Sequence, residues 1–498
     1  MGPITVVLPS RPRPDHGITE DDVADIAALL TREHGWLAAA LGSPVRFART
    51  DPGVGARLLV GPRAANPCLA ALPAPDDARP QVRRLGEDLL VAEAPDRGAV
   101  WASLSLLATL RRTGAARIVA APTTDPLVAA DQVAEEVALA PAVTAGWRDW
   151  DALSRTHRPA PAGAASVAAL QRWVAALDDL HTSVTLTAAT WQPPYEVAVT
   201  AAGTAHLRTV PRTSHGWQAG ARPGDRLLDP PAGDVRERVG AAPHARGLHA
   251  GRRLLATPRG ARCTLTVADA EGRTRTWSED EPRADEAPPV RWGRRAGVGV
   301  LTIARWTRDG RSDDDLDLAL GELADAEGLV VDLRGNTGGE LLAAQDARDR
   351  FLTAPTRCGT LRYASAEPAV GLCEPVALTA DPSPRRRWNG PVRVLTDALT
   401  ASASEDFLLG LQGLAHIEVV GEPSAGALGR PRTLPLLPTA ALTVSTAVAH
   451  DRTGRLIEGR GIPVDTPSPT TGGATARAAS GVEAPADPLL EAALAAPW

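Results

Sequence analysis

Two stretches hold residue types whose spacing could do chemistry. In TDALTASASEDFLLGLQ (396–412), small polar residues sit between an apolar strand and an apolar-periodic helix, with Ser402 at the junction. A serine there lies beside the unpaired N–H groups and positive end of the helix, which favour a developing alkoxide or oxyanion. The same letters, Ser402-x-x-Glu405, also spell a helix capping box, and Ser404 competes for either role. In GLVVDLRGNTGGELLAA (328–344), a buried strand runs through a glycine-rich turn into a helix. Gly335, Gly338 and Gly339 would let backbone N–H groups approach a ligand, as an oxyanion hole or anion nest requires, although tight packing alone also uses such glycines. A phosphate loop is excluded, because its lysine is missing and the spacing differs.

That lysine is missing everywhere. All 53 Lys+Arg residues are arginine, so no lysine base, Schiff base or phosphate-binding lysine exists in the chain. The four cysteines, Cys68, Cys263, Cys358 and Cys373, are too few and too scattered for a metal cage or a disulfide scaffold, and reduced thiols are expected. A net charge of −6 with no basic domain argues against a nucleic-acid partner. No apolar run reaches membrane-spanning length, and the first residues lack the layout of a secretory signal, so a soluble cytoplasmic protein without a membrane partner is expected.

The elements that must position these residues follow from periodicity. At 498 residues and 44% hydrophobic content, the chain predicts about three domains. Residues 1–125 read as a small α/β domain. Residues 126–190 read as a helical lead-in, whose stripe Val167, Leu170, Val174, Leu177 is continued by His181. Residues 195–280 turn β-rich, and AGARPGDRLLD (219–229) resembles the loop-strand signature of a PDZ domain. After the acidic, proline-rich linker 278–289, residues 290–470 alternate strands and helices as an α/β core whose loops can carry a site. The stretch 471–498 reads as a flexible tail ending in a short helix, capped by Asp487 and opened by Pro488. His244 and His249 lack further ligands at metal spacing and read as solvated loop, as do Arg385 to Arg387 with Trp388. His450, at a strand end, is a rival base.

In order, DLRGNTGG, TASASEDF, VVGEPSAGALG and RLIEGRGIPVD resemble the carboxy-terminal-processing (tail-specific) serine proteases over roughly residues 145–470. The resemblance implies a mixed α/β chain with a ClpP/crotonase-like protease core, a nucleophile at Ser402, and an oxyanion hole from the N–H groups of Ala403 and Gly338. Many members use a lysine about 25 positions after the serine, where this chain has Ala427 and Leu428. The tricorn-core and interphotoreceptor-retinoid-binding-protein-like branch instead resembles LDDLHTSV (177–184), placing His181 as base, and IEGRGIPVD, placing Glu458 as its partner. A serine proton passing to a neutral imidazole held by a carboxylate is sound acyl-transfer chemistry. Departures are Leu180 before His181, where that branch has an assisting serine, and GIPVD at the close.

The implied function is a serine peptidase acting on peptide or protein substrates through an acyl-enzyme, without metal or organic cofactor. Its alternatives are an acyl-transfer enzyme (transpeptidase or peptide cyclase) and a catalytically silent ligand-binding homologue. Family members assemble in several ways, so a homo-oligomer is within the implication.

Overall fold

The computed structural model describes residues 3–12, 18–32, 34–77, 79–94, 97–159, 166–282, 288–308, 311–365, 370–468 and 487–497. The N-terminal unit is a six-stranded sheet in the order Val45–Ala48, Ile4–Val7, Arg57–Pro62, Leu89–Ala94, Gln81–Arg84, Arg117–Val119, parallel over the first four strands. Helices Arg97–Ser105 and Leu107–Thr113 follow strand Leu89–Ala94. The lead-in begins as expected. Asp125 caps Pro126–Val137 by accepting Leu127 N–H at 2.8 Å, and Ser166 caps Val167–Ala175 by accepting Ala169 N–H at 3.2 Å. It does not stay helical to residue 190, because Ser183–Leu186 joins a three-stranded sheet with Ala440–Val444 and Arg432–Leu437.

Residues 196–279 form a five-stranded antiparallel sheet with its own apolar core. Helix Pro243–Leu255 lies across its first strand so closely that a side chain at Gly251 would sit 1.7 Å from the Val197 carbonyl oxygen.

The core sheet runs Val290–Arg295, Val298–Ile303, Leu329–Asp332, Val392–Thr396, Ile417–Gly421, Thr466–Pro467. After the first hairpin, every pairing is parallel. Because Leu329–Asp332 and Val392–Thr396 are adjacent and parallel, the two glycine- and serine-bearing loops leave the sheet side by side at its carboxyl ends. Helices Leu341–Asp349 and Ala403–Leu411 succeed those loops and cover one face, where Phe407 packs edge-on to Phe351 and beside Trp306. Beyond them lies a sheet of Val376–Ala380, Thr356–Tyr363 and Ala447–Asp451.

Residues 469–486, most of the expected flexible tail, lie outside the described residues. The terminal helix Pro488–Ala495 is docked, not loose. It buries Leu489, Leu490 and Ala493 against Val298, Val330, Leu395 and Val420 of the core sheet, and Asp487 caps it at 3.1 Å from Leu490 N.

The N-terminal unit is not a tethered appendage, since its buried residues and those of the core form one continuous apolar cluster. The seam also holds a buried ion pair: Arg432 Nη2 lies 2.5 Å from Glu136 Oε2, with side chains 3% and 4% exposed. Thr109 and Arg112 reach the other Glu136 oxygen at 2.8 and 3.3 Å. Removing one partner would strand a buried charge. Glu136→Ala is therefore expected to destabilise the fold by about 3–5 kcal/mol, read as a fall in urea midpoint, and Glu136→Ala with Arg432→Met recovers most of it.

Candidate active site

Ser402 sits at the end of the loop leaving Val392–Thr396, with φ 58° and ψ −120°, a left-handed region costly for a residue with a Cβ. Three backbone ties hold it there. Its N–H is shared between the Ala427 carbonyl (2.9 Å) and the Glu405 carboxylate (3.0 Å), and its carbonyl receives Glu405 N–H (2.8 Å). Ser402 and Glu405 stand as the two ends of a capping box, with the Glu405 carboxylate accepting Ser402 N–H at 3.0 Å. Ser404, the rival, is fully buried. Its hydroxyl accepts Trp306 Nε1–H at 2.8 Å and donates to the Asn336 carbonyl at 3.2 Å, which makes it a strut.

The glycine loop closes on the serine from the other side. A Cβ at Gly338, whose φ is 108°, would lie 2.7 Å from Ser402 Cβ and 3.2 Å from Ala403 N, so only glycine fits. Asn336 shapes this loop: its side-chain N–H donates to Ile303 O at 2.9 Å, and its carbonyl receives Ala401 N–H at 3.1 Å. Asn336 Oδ1 also accepts the Gly338 N–H at 2.9 Å, so in this state that expected oxyanion donor is engaged. Ala403 N–H, at the first turn of its helix, has no acceptor among the described residues.

Two buried carboxylates knit the loops together; the capping pattern pointed to the Glu405 bond with Ser402, and residue types gave no sign of the remaining ties. Glu405 takes four donors: Ser402 N, Ala427 N (2.8 Å), Gly426 N (2.7 Å) and Ser424 Oγ (2.6 Å). Burial pushes its carboxyl upward, and those donors pull it back. Asp397 accepts Gly335 N–H at 3.1 Å together with Leu399 and Thr400 N–H, each at 3.0 Å, fastening the glycine loop to the serine loop.

His181 does not continue the helical stripe. The helix ends at Ala175, Asp178 turns to φ 58°, and His181 comes next in a tight turn. Asp179 builds that turn, accepting His181 N–H at 3.0 Å and the Thr182 hydroxyl at 2.6 Å. Thr182 Oγ1 in turn accepts Ser445 N–H at 3.1 Å, while Leu180 packs on the cluster containing Ala401, Ala425 and Ala427. The turn is thereby pinned against the serine loop, on the side where Ala427 lies. Burial holds the imidazole below its ordinary range, Asp179 opposes this and Arg430 adds to it, so the ring is neutral at pH 7 and able to accept a proton.

Glu458 comes after strand Ala447–Asp451. Its Oε2 accepts Ala449 N–H at 2.7 Å. Burial pushes its carboxyl up to about 8 against that bond, and Glu405 and Asp179 add to the rise. The field of Asp179, which holds His181, and that of Glu405, which holds Ser402, both reach it. Two atoms here are buried without a partner, His181 Nδ1 and Glu458 Oε1. Among the described residues no hydrogen bond or ion pair joins Ser402, His181 and Glu458, so the three expected residues are gathered around one locus but not linked in this state.

Other expectations are corrected. His244 and His249 are not solvated loop but lie on helix Pro243–Leu255, where Nε2 of His244 meets Ser424 O at 2.8 Å and Nε2 of His249 meets Ala398 O at 3.2 Å. Burial and Arg252 hold His249 down to about 4. Both fasten the 196–279 unit to the serine loops. Arg385 pairs with Asp314 and Asp317, and Trp388 is buried. His450 pairs in the sheet with Thr360, beside Arg362, and makes no bond to Ser402. No cluster of His, Cys, Asp or Glu among the described residues could hold a metal ion, and no helix among them is long and apolar enough to cross a membrane.

The chain is similar to known proteins. Residues 297–468 match the family described as peptidase family S41. Carboxy-terminal processing protease CtpB of Bacillus subtilis (strain 168) is 30% identical over 138 residues, 26% of this chain and 25% of CtpB, so the chain matches about a quarter of that relative's length. Mature CPAF complexed with lactacystin is similar in fold at TM-score 0.50 and 16% identity, over 69% of this chain and 95% of that one. The photosystem II D1 C-terminal processing protease aligns at TM-score 0.45 and 19% identity, over 70% and 94%.

The Glu458 carboxyl has a measurable consequence. Above about pH 4.5 it ionises in the unfolded chain, while the folded chain keeps it protonated until about pH 8, so folding stability is lost across that window as pH rises. Glu458→Gln is expected to match wild type near pH 4.5 and to become the more stable of the two by pH 8, in urea unfolding measured across pH.

Proposed function

We propose that this chain, whose residues 297–468 match peptidase family S41, is a serine peptidase cleaving peptide or protein substrates through an acyl-enzyme. Ser402 attacks the scissile carbonyl. His181 takes the serine proton and returns it to the leaving amine, and Glu458 orients His181 and steadies the imidazolium. Ala403 N–H receives the oxyanion, and Gly338 joins it once its N–H turns from Asn336 Oδ1.

The observation that carries this reading is the Ser402 backbone. A φ of 58° held by three backbone ties at a helix N-terminus is costly for a residue that only caps and useful for a nucleophile. The partnerless His181 Nδ1 and Glu458 Oε1 support it further, since buried polar atoms are rarely left unpaired and a bond between these two is the one the triad requires. Burial keeps Glu458 neutral in the resting chain, so it serves in this role once it has released its proton to solvent and can accept the His181 N–H as a carboxylate. The PDZ-like reading of the 196–279 unit makes it a substrate tether, held to the serine loops by His244 and His249. The open triad also sustains a second reading, a silent binding homologue.

Labelling with a fluorophosphonate probe separates them. Wild type is expected to label, Ser402→Ala not at all, His181→Ala roughly 10²–10⁴-fold more slowly, and Ser404→Ala to retain labelling. An unlabelled wild type supports the silent homologue. Loss in Ser404→Ala with retention in Ser402→Ala assigns the nucleophile to Ser404.

A further inference from the structure

We propose that the groove between strand Arg117–Val119 and helix Pro126–Val137 docks an extended peptide segment of a partner protein, pairing it to the open edge of the strand and drawing one basic side chain into the cavity beside it. The groove shares no residue with the Ser402 site, so the proposal stands apart from the peptidase reading.

The strand is the last in its sheet and, among the described residues, pairs only with Gln81–Arg84. Arg84 N–H donates to Ala116 O and Ala120 N–H to Pro80 O, each at 2.8 Å. Bonded and open ranks alternate in antiparallel pairing, so Ile118 shares the bonded rank while the N–H and C=O of Arg117 and Val119 turn to the open edge. Such an edge is a template for a further extended chain. Beside it lies a cavity of about 260 Å³, lined by Ile118 and Val119 from the strand and by Val128, Asp131 and Glu135 from the helix. The three helix residues recur at spacings of three and four and so share one face, on which the apolar Val128 is 50% exposed. The cavity is several times the ~30 Å³ share of one water and below the roughly 300 Å³ at which sites for whole small molecules begin, which suits a single long side chain.

Charge selects which side chain. The lining carries the carboxylates of Asp131, Glu135 and Glu136 against the one guanidinium of Arg112. Glu136 is satisfied by Arg432, Thr109 and Arg112. Asp131 and Glu135 are exposed and each bonds through one oxygen, to Arg158 and Arg112, leaving Asp131 Oδ2 and Glu135 Oε1 open to a donor. Standing one helical turn apart, these two like charges repel until a cation lies between them. Arg112 engages Glu135 and Glu136 with its two η nitrogens and leaves Nε buried without a partner, a donor that a peptide carbonyl satisfies. An arginine or lysine side chain meets all of this: its aliphatic stem lies on Ile118 and Val128, and its charged end reaches Asp131 and Glu135. An acidic side chain is repelled.

The test is fluorescence anisotropy with the full chain carrying Ser402→Ala, so that no probe is cleaved, against short fluorescent peptides of alternating Val and Thr whose central residue is varied. Peptides with central arginine or lysine are expected to bind at least about tenfold more tightly than those with alanine or glutamate, and to weaken as salt is raised to about 0.5 M. Two added variants separate charge from backbone pairing. Asp131→Arg with Glu135→Arg, both at exposed positions, reverses the charge at the cavity and is expected to abolish the preference for a basic centre. Val119→Pro removes an edge N–H that no strand uses and is expected to weaken every peptide alike. The urea midpoint of each variant reports that it is folded. Equal binding of the arginine and alanine peptides, a preference unchanged in the folded charge-reversed variant, or no binding by any peptide at about 1 mM overturns the proposal. Agmatine displacing a bound peptide as effectively as an unlabelled arginine peptide also overturns it, since the cavity would then be a site for small cations and not for a strand.

Discussion

The Glu405 carboxylate is the constraint on which the rest of the site depends. A carboxylate taken wholly out of water must have its oxygens satisfied or lose its charge. Here the donors come from two places in the chain: the serine's own N–H, and the 424–427 loop through two backbone N–H groups and the Ser424 hydroxyl. Satisfying one buried group therefore fixes the serine's unusual φ and sets where the 424–427 backbone passes. It also holds Ser424, whose Oγ accepts Ile462 N–H at 2.7 Å, so the segment after Glu458 is tied to the same knot. Asp397 repeats the device between the serine and glycine loops, where parallel strand pairing has already brought them together.

This arrangement explains how a site can do without lysine. In place of a long cationic side chain near position 427, the chain presents alanine, and the apolar surface of Ala401, Ala425 and Ala427 becomes a seat for Leu180. Seating Leu180 brings the next residue, His181, to the serine loop from a segment more than 200 positions away. A buried neutral imidazole is compatible with that apolar seat in a way that an unpaired ammonium would not be.

Much of this was legible in the residues. The strand-to-helix turns at Ser402 and Gly338, the core strands and the Asp487 cap come directly from periodicity and capping chemistry. Other features were hidden for physical reasons. His181 keeps the arithmetic of a helical stripe, yet Asp178 and Asp179 end the helix with side-chain-stabilised turns that spacing does not reveal. Helix Pro243–Leu255 reads as loop because Gly247 and Gly251 lower helix propensity; those glycines are the price of laying the helix 2.9 and 1.7 Å, measured from their absent Cβ atoms, from the carbonyls of Val199 and Val197. Strand Thr356–Tyr363 is broken by arginines and Gly359, and that glycine lets His450 O approach to 2.2 Å of where a Cβ would stand.

The central claim is that Ser402, His181 and Glu458 close into one proton-transfer unit when a tetrahedral centre forms on the serine. A crystal structure of the phosphonylated protein tests it most directly. The account predicts phosphorus on Ser402 Oγ, a phosphonyl oxygen on Ala403 N–H, and His181 within about 3.2 Å of both Ser402 Oγ and a Glu458 oxygen. An adduct on Ser402 with His181 bonded to neither would contradict it.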